Sequence, residues 1–192
     1  MNRRQFASVP AILLLPGCGN GIDVAEWNEE VLLHDGRKVL VWRRARAYSS
    51  GFPNASRGAN IDMELKFDPL GIGWKSKANR VPISFELFDG VAHLVNYITD
   101  RETCAKMKPT DYTAQFLRWQ DGQWVELAQT AFPLDRALLN LSEHFWGHTT
   151  KEDYRGTVSW EEKRLMGQRS PTDTIKSYFE RSQRFCSDYL KI

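Results

Sequence analysis

Three Asp-Gly dipeptides constrain the fold of this chain more than any other local feature of its sequence. They are Asp35-Gly36, Asp89-Gly90 and Asp121-Gly122, and each lies between segments rich in β-branched, aromatic and leucine residues. Asp and Gly tolerate the positive φ angles of a type I′ turn, so the pair is a strong signal for a two-residue β-hairpin. The sequence therefore predicts three antiparallel hairpins.

Counting outward from each turn predicts which residues face each other. The predicted pairs are Val31 with Leu40 and Glu29 with Trp42 in the first hairpin, Phe85 with Leu94, Leu87 with Ala92, Val81 with Ile98 and Glu86 with His93 in the second, and Trp119 with Trp124 beside the third turn. Aromatic pairs at the close, non-hydrogen-bonded position beside a turn stabilise a hairpin.

Residues 61–67 are expected to form another strand, and a further strand is expected near Trp74. Residues 49–60 are expected to form a loop.

The pattern changes after Pro133 from strand-like to helical. Leu134, Leu138, Leu141 and Phe145 recur at helical spacing. Ser159-Trp160-Glu161-Glu162 fits a capping box, and Ser170-Pro171 fits a helix start with Pro at the first helical position. A final helix is predicted from one apolar stripe: Ile175, Tyr178, Phe179, Ser182, Phe185, Cys186 and Tyr189. Strands first and helices last predict an α+β fold, in which an antiparallel sheet of about three hairpins is packed by C-terminal helices.

The N-terminal segment has the pattern of an export signal. A basic start, Met1-Asn2-Arg3-Arg4-Gln5-Phe6, leads into an apolar run that ends in Leu15-Pro16-Gly17-Cys18 and is too short to span a bilayer. The last four residues resemble the lipobox of bacterial lipoproteins, which implies that Cys18 is acylated and becomes the first residue of the mature chain. An ordinary cleaved secretory signal and an uncleaved tail are the alternatives. Arg3-Arg4-Gln5-Phe6 also resembles the twin-arginine export motif.

This resemblance implies an exported protein held by lipid, for example palmitate, on the periplasmic face of a membrane. Gly19 follows Cys18, and because an Asp there tends to retain such proteins in the inner membrane, the resemblance favours the outer membrane. The expected organisation is a signal peptide at residues 1–17, a lipidated Cys and short tether at residues 18–26, and a single domain at residues 27–192.

The mature chain carries no excess of either charge. Removing residues 1–17 removes Arg3 and Arg4 and no acid, which leaves 24 basic against 24 acidic residues. A balanced charge gives no reason to expect nucleic acid as a partner. About 175 residues remain, enough for one domain with a substantial core.

If Cys18 carries lipid, Cys104 and Cys186 are left as a pair. Two thiols in a compact periplasmic domain tend to form a disulfide, which would join the segment after the second hairpin to the last helix. Two buried free thiols are the alternative.

His144 and His148 are the best candidates for chemistry. Two histidines four residues apart share one helix face and can bind zinc, as in zincins. The zincin motif needs a Glu directly after the first His, but Phe145 stands there, and no third ligand is obvious. Ordinary surface or cap histidines are the alternative, and no cofactor is expected.

Arg43, Arg44 and Arg46 form a basic run. It suits lipid headgroups or an acidic partner, but the strand alternation splits the charges between two faces, which favours a solvated edge strand protected by cations. Serines 49, 50 and 56 lack a nucleophile-elbow context.

Two further segments, residues 27–37 and 112–124, resemble a group of proteobacterial lipoproteins that have no assigned activity. The absence of a catalytic motif favours a binding module for a protein partner, of which an immunity-type lipoprotein is one version, over an enzyme. The alternative is a periplasmic enzyme, in one version a metal-dependent hydrolase. Binding residues are expected in the loop at residues 49–60 or in the stretch at residues 147–156.

Overall fold

The computed structural model describes residues 21–48, 60–77, 79–142, 156–165, 173–182 and 184–190. Within these ranges the elements are β1 Ile22–Leu32, β2 Lys38–Tyr48, β3 Asn60–Phe67, β4 Ile72–Lys77, β5 Arg80–Phe88, β6 Val91–Ile98, α1 Arg101–Cys104, β7 Ala114–Gln120, β8 Gln123–Leu127, β9 Thr157–Val158, α2 Trp160–Leu165, α3 Ile175–Ser182 and α4 Cys186–Leu190. Short 3₁₀ turns lie at Asp68–Leu70 and Gln129–Ala131.

The strands form two sheets where the sequence predicted one. The first has the strand order β4-β3-β2-β1-β9, and the second has the order β5-β6-β7-β8. Neighbouring strands are antiparallel, except that β9 runs parallel to β1. The fold is thus rich in sheet, and the described helices are short, the longest being the eight-residue α3.

The second and third Asp-Gly turns form as predicted. Asp89 and Asp121 both have φ of 51°, and the glycines that follow them also have positive φ, as a type I′ turn requires. The pairs Phe85–Leu94, Leu87–Ala92, Glu86–His93 and Trp119–Trp124 are all found. The two indoles meet edge to face with ring centroids 5.3 Å apart. The predicted strands near residues 61–67 and Trp74 are confirmed as β3 and β4.

The first turn differs from its prediction. Leu33 and Arg37 close a three-residue loop by a backbone hydrogen bond of 2.8 Å, and only Gly36 has positive φ. The Asp35 side chain accepts from the Arg37 backbone N–H at 3.0 Å, which stabilises this longer loop.

The predicted pairings in this hairpin are therefore wrong by one residue. Val31 faces Val39 rather than Leu40, and Glu29 faces Val41 rather than Trp42. In the second hairpin, an irregularity between Pro82 and Ser84 shifts the register, so Val81 faces Tyr97 rather than Ile98.

One apolar core lies between the two sheets. Val31, Val41 and Leu65 of the first sheet are fully buried, and they belong to one cluster with Phe85 and Leu94 of the second. Alternate residues of β1 and β2 turn outward, which is the period of a sheet with one covered face.

A second core covers the opposite face of the second sheet. Ile83, Val95 and Phe116 pack there with Ile175 and Phe179 of α3. Because both faces of this sheet are covered, the burial of β5 and β6 is nearly continuous rather than alternating.

The helix predicted from Leu134, Leu138, Leu141 and Phe145 does not form in the part of this segment that the structure describes, which ends at residue 142. Residues 133–142 are instead turns and irregular backbone, with an isolated bridge from Leu138 to Thr174. The Leu141 N–H donates to the Ile83 carbonyl at 3.1 Å, and the Leu139 N–H donates to the Asp173 carbonyl at 3.0 Å. These backbone groups bind neighbouring elements, so they are not available for a helix.

The capping box is confirmed at α2. The Ser159 N–H donates to the Glu162 carboxylate at 2.7 Å, and the Glu162 N–H donates to the Ser159 hydroxyl at 3.2 Å. The third helix begins later than predicted. Thr174, not Ser170, caps it by accepting from the Ser177 N–H at 3.2 Å, while residues 170–172 lie outside the described part of the chain.

The predicted last helix is divided into α3 and α4. Between them the Arg184 carbonyl accepts from the Thr113 N–H at 3.0 Å, and Phe185 bridges to Tyr112. The chain there pairs with the segment before β7, which interrupts the helical hydrogen bonds. In the described residues no helix has the length and apolar character needed to cross a membrane.

Candidate functional site

The structure brings together Cys104 and Cys186 among the predicted site residues. Their sulfur atoms lie at disulfide distance and their Cα atoms are 5.1 Å apart, so the pair joins α1 to α4. Cys18, His144 and His148 lie outside the described residues, as do residues 49–59 and 147–155 of the two predicted binding loops.

The sequence predicted that the basic run lies on an edge strand, and this prediction is wrong. β2 is flanked by β1 and β3, and Arg43 is buried within the core face. Arg44 and Arg46 lie on the outer face, where they pair with Glu64 at 3.3 Å and with Asp62. The basic run is therefore divided between one buried ion pair and two ion pairs on the outer face of the sheet.

Glu29 forms the centre of the buried ion cluster. Its carboxylate accepts from the Arg43 guanidinium at 2.7 Å, from the Ser142 N–H at 2.7 Å, from the Ser142 hydroxyl at 2.8 Å and from the Lys163 ammonium at 3.0 Å. The Trp27 indole N–H donates to the same carboxylate at 3.3 Å. One carboxylate thus joins β1, β2, the segment before residue 143 and α2.

The charges of this cluster are strongly coupled. Burial alone would raise the pKa of Glu29, but Arg43 and Lys163 lower it to about 2. Burial lowers the pKa of Lys163, and Glu29 opposes that effect. The Arg43 guanidinium, at 2.7 Å, lies nearer to the Glu29 carboxylate than the Lys163 ammonium, at 3.0 Å. All the oxygen lone pairs of Glu29 are engaged, which identifies the cluster as structural.

A second buried carboxylate, Glu86, lies beside the first hairpin turn. It accepts from the His34 N–H at 3.0 Å, from the Leu138 N–H at 3.1 Å and from the Asn140 amide at 3.2 Å. Burial raises the pKa of Glu86 above its usual value, and the hydrogen bonds from His34 and Leu138 offset only part of that effect. Glu86 faces His93 across the hairpin, as predicted, and His34 of the first hairpin is the histidine that contacts its carboxylate.

His34 and Glu86 resemble a general base oriented by a carboxylate, but both ring nitrogens of His34 already have hydrogen-bond partners. The His34 Nδ1 lies 3.0 Å from Glu86, and its Nε2 lies 2.9 Å from the Arg136 guanidinium. Because a guanidinium only donates, Nε2 must accept and Nδ1–H must donate to Glu86. The nitrogen that a general base would use is therefore bound to Arg136.

Asn140 completes this polar network between the sheets. Its amide donates to the Leu32 carbonyl at 2.9 Å and to the Phe85 carbonyl at 2.8 Å, and its carbonyl accepts from the Phe85 N–H at 2.9 Å. Since β5 is an edge strand, Asn140 satisfies backbone groups that would otherwise attract another strand. The segment around Asn140 thus covers the edge of the second sheet.

An open cleft of about 490 Å³ lies between β4 of the first sheet and the strands β5, β7 and β8 of the second. This volume is in the range of ligand sites. Its lining residues are Gly73, Trp74, Lys75, Ser76, Asn79, Arg80, Gln115, Leu117 and Trp124. Two of these described residues are cationic and none is acidic.

Neighbouring groups position the polar lining of the cleft. The Arg80 guanidinium donates to Asp100 at 2.7 Å and to the Thr103 hydroxyl at 2.9 Å, and Gln115 donates to Glu126 at 2.9 Å. The Trp124 indole N–H donates to the Gly73 carbonyl at 2.8 Å and so ties the third hairpin to β4. Lys75 is mostly exposed and pairs with Glu64 at 2.7 Å.

Among the residues that the structure describes, no group of three or more His, Cys, Asp or Glu side chains has the arrangement to hold an ion. His144 and His148 lie outside these residues, so zinc binding by that pair stays a prediction. No family model, curated protein or solved structure matches the chain. The site must therefore be interpreted from its own chemistry.

Proposed function

We propose that this protein is an exported lipoprotein, anchored through Cys18 to the periplasmic face of a bacterial membrane, that acts as a binding module for a protein partner. The lipobox-like ending of the N-terminal segment supports the anchor, and Gly19 after Cys18 favours the outer membrane. The Cys104–Cys186 pair supports an oxidising compartment, since such pairs persist there and are rare in the cytosol.

The cleft between the sheets is the observation that carries the binding proposal. It is lined mainly by strands from both sheets, and its Arg80 and Gln115 side chains are held by Asp100 and Glu126. A site on rigid elements costs little ordering on binding.

The chemistry of the cleft favours an acidic peptide segment as the ligand. Lys75 and Arg80 supply cationic donors, each of which also pairs with one carboxylate, Glu64 or Asp100. Asn79 and Gln115 supply amide donors and acceptors, and Trp124 supplies an aromatic surface. Arg and Trp are enriched where protein partners bind most tightly. An immunity-type protein, which captures a toxin in the periplasm, is one version of this function.

The buried carboxylates favour the binding module over an enzyme. Glu29 and Glu86 both serve as acceptors for backbone and side-chain donors from several elements, and Arg136 occupies His34. The packing of α3 over the second sheet also supports an assignment to the α+β class.

Charge reversal at Lys75 tests the binding site. In the bacterium that makes this protein, a photo-crosslinking residue at Ser76 should yield a partner adduct in the wild-type background. Lys75→Glu should reduce the adduct at least tenfold, because the reversed charge repels an acidic segment.

Lys106→Glu is the matched control. Lys106 is an exposed lysine that pairs with Glu102 at 2.7 Å, as Lys75 pairs with Glu64, but it follows α1 and is not among the lining residues of the cleft. The proposal fails if the two reversals reduce the adduct equally, or if neither does.

A further inference from the structure

The outer face of the first sheet carries an exposed apolar patch at one end. Ile22 and Val24 of β1 and Tyr48 of β2 are 53%, 49% and 51% exposed. Ile22 pairs directly with Tyr48, and Val24 pairs with Arg46, so the side chains are neighbours on one surface. We name these three residues the β1–β2 end patch.

We propose that the β1–β2 end patch lies against the lipid surface, so that the protein stands on the membrane by the open end of its first hairpin. This inference rests on the proposed lipid anchor at Cys18.

The short separation between Cys18 and the start of β1 at Ile22, shorter than the tether expected at residues 18–26, supports this orientation. Ile22 is four residues after Cys18, and four extended residues span at most about 14 Å. An acylated Cys18 has its chains in the bilayer, so the end of β1 is held within that distance of the headgroups. The three most accessible apolar side chains of this end are therefore the first to reach the interface.

The chemistry of the end patch suits the membrane interface. Tyrosine is enriched at that level of the bilayer, where its ring is in an apolar region and its hydroxyl is wet. Arg46, which is partly exposed, lies across from Val24. Its guanidinium pairs with Asp62 and so neutralises the carboxylate beside the patch.

The opposite end of the hairpin is directed away from the membrane in this orientation. Leu40 lies eight residues before Tyr48 on β2, a distance of about 27 Å along a strand. Leu40 and Leu70 are each 48% exposed, nearly the same as the patch residues. These two leucines provide matched controls for an accessibility measurement.

Hydroxyl-radical footprinting of the full chain tests the orientation. The lipidated protein on vesicles of phosphatidylethanolamine and phosphatidylglycerol is compared with Cys18→Ala protein in buffer, and oxidation rates are measured residue by residue by mass spectrometry. The rates at Ile22, Val24 and Tyr48 should fall at least threefold on the vesicles, while those at Leu40 and Leu70 should stay unchanged.

The outcomes separate this inference from the proposed function. Unchanged rates at the patch of a protein that does co-sediment with the vesicles would overturn the orientation but leave the anchor intact. Wild-type protein that does not co-sediment would refute the anchor and the orientation with it. Protection on native membranes but not on pure lipid vesicles would assign the patch to a membrane protein and overturn the lipid contact.

Discussion

Glu29→Gln should lower the free energy of unfolding of this protein more than the substitution of any exposed carboxylate does. The change keeps the size of the side chain but removes the charge that Arg43 and Lys163 share, and all three groups are almost fully buried. Removing one partner of a buried ion pair typically costs about 3–5 kcal/mol, because the remaining charges are left without a counter-charge.

The pKa of Glu29 gives an independent magnitude. A carboxyl whose pKa falls from 4.5 to about 2 on folding contributes about 3 kcal/mol of stability at neutral pH. Because the folded pKa is the lower one, this contribution is complete above the unfolded value and is lost as the pH falls from about 4.5 toward 2. Glu29→Gln should therefore be about 3 kcal/mol less stable at pH 7 and should show a smaller loss of stability over that acid range.

Urea unfolding of the oxidised protein at several pH values measures both effects. Glu26→Gln is the control: Glu26 lies on the same strand, is exposed, and approaches Arg44 only at 3.7 Å, so its replacement should change stability by less than about 0.5 kcal/mol. A further Lys163→Met change should restore part of the stability lost in Glu29→Gln, since it removes one unpaired charge. Equal stability of the Glu29 and Glu26 variants at pH 7 would refute the account of the cluster.

Three further predictions follow from the turns, the cysteines and the histidines. Gly90→Ala should destabilise the protein by about 1 kcal/mol, because Gly90 has φ of 80°, whereas Gly73→Ala, at a position with equal open space but no positive φ, should cost less in the same unfolding assay. Thiol counting under denaturing, non-reducing conditions should find Cys104 and Cys186 oxidised, and replacing both by Ala should cost about 4–5 kcal/mol given their separation of 82 residues; two reactive thiols in exported protein would contradict the pairing. Replacing His144 and His148 together should leave stability unchanged, and purified protein should contain no stoichiometric zinc; one zinc per chain that is lost with an activity in the double variant would favour the enzyme.

Short-range turn chemistry made much of the sheet predictable. At Asp89 and Asp121 the two-residue turn accounts for the register near the turn, down to the Trp119–Trp124 pair. At Asp35 the same dipeptide gives a three-residue loop, because the Asp35 side chain bonds to the Arg37 N–H. A one-residue difference in loop length is not encoded in the dipeptide itself.

Long-range contacts explain the predictions that were wrong. The apolar spacing of Leu134, Leu138 and Leu141 fits a helix, but the backbone there donates to Glu86, Asp173 and Ile83, which the local sequence does not reveal. Likewise, the last helix is interrupted where Thr113 pairs with Arg184, 71 residues away. The tertiary fold decides whether a segment with helical spacing forms a helix or binds to neighbouring segments instead.

The sequence contains a signal for the buried ion cluster, but the register predicted from the Asp35-Gly36 turn, which paired Glu29 with Trp42, did not show it. Glu29 alternates with Trp27 and Val31 on β1, and Arg43 alternates with Val41 on β2, so opposite charges lie on the apolar face of one hairpin. Such a pair predicts a buried ion pair. Lys163 and Ser142 carry no comparable signal, since they reach Glu29 only through the folding of distant segments.

The intact mass of the protein extracted from its own membranes tests the central claim most directly. The account predicts a chain that begins at Cys18, carries acyl groups on that residue, and has Cys104 and Cys186 joined. In the Cys18→Ala variant the acyl mass should be absent and the protein should leave the membrane fraction. A mass that corresponds to a start at any other residue without lipid would contradict the account.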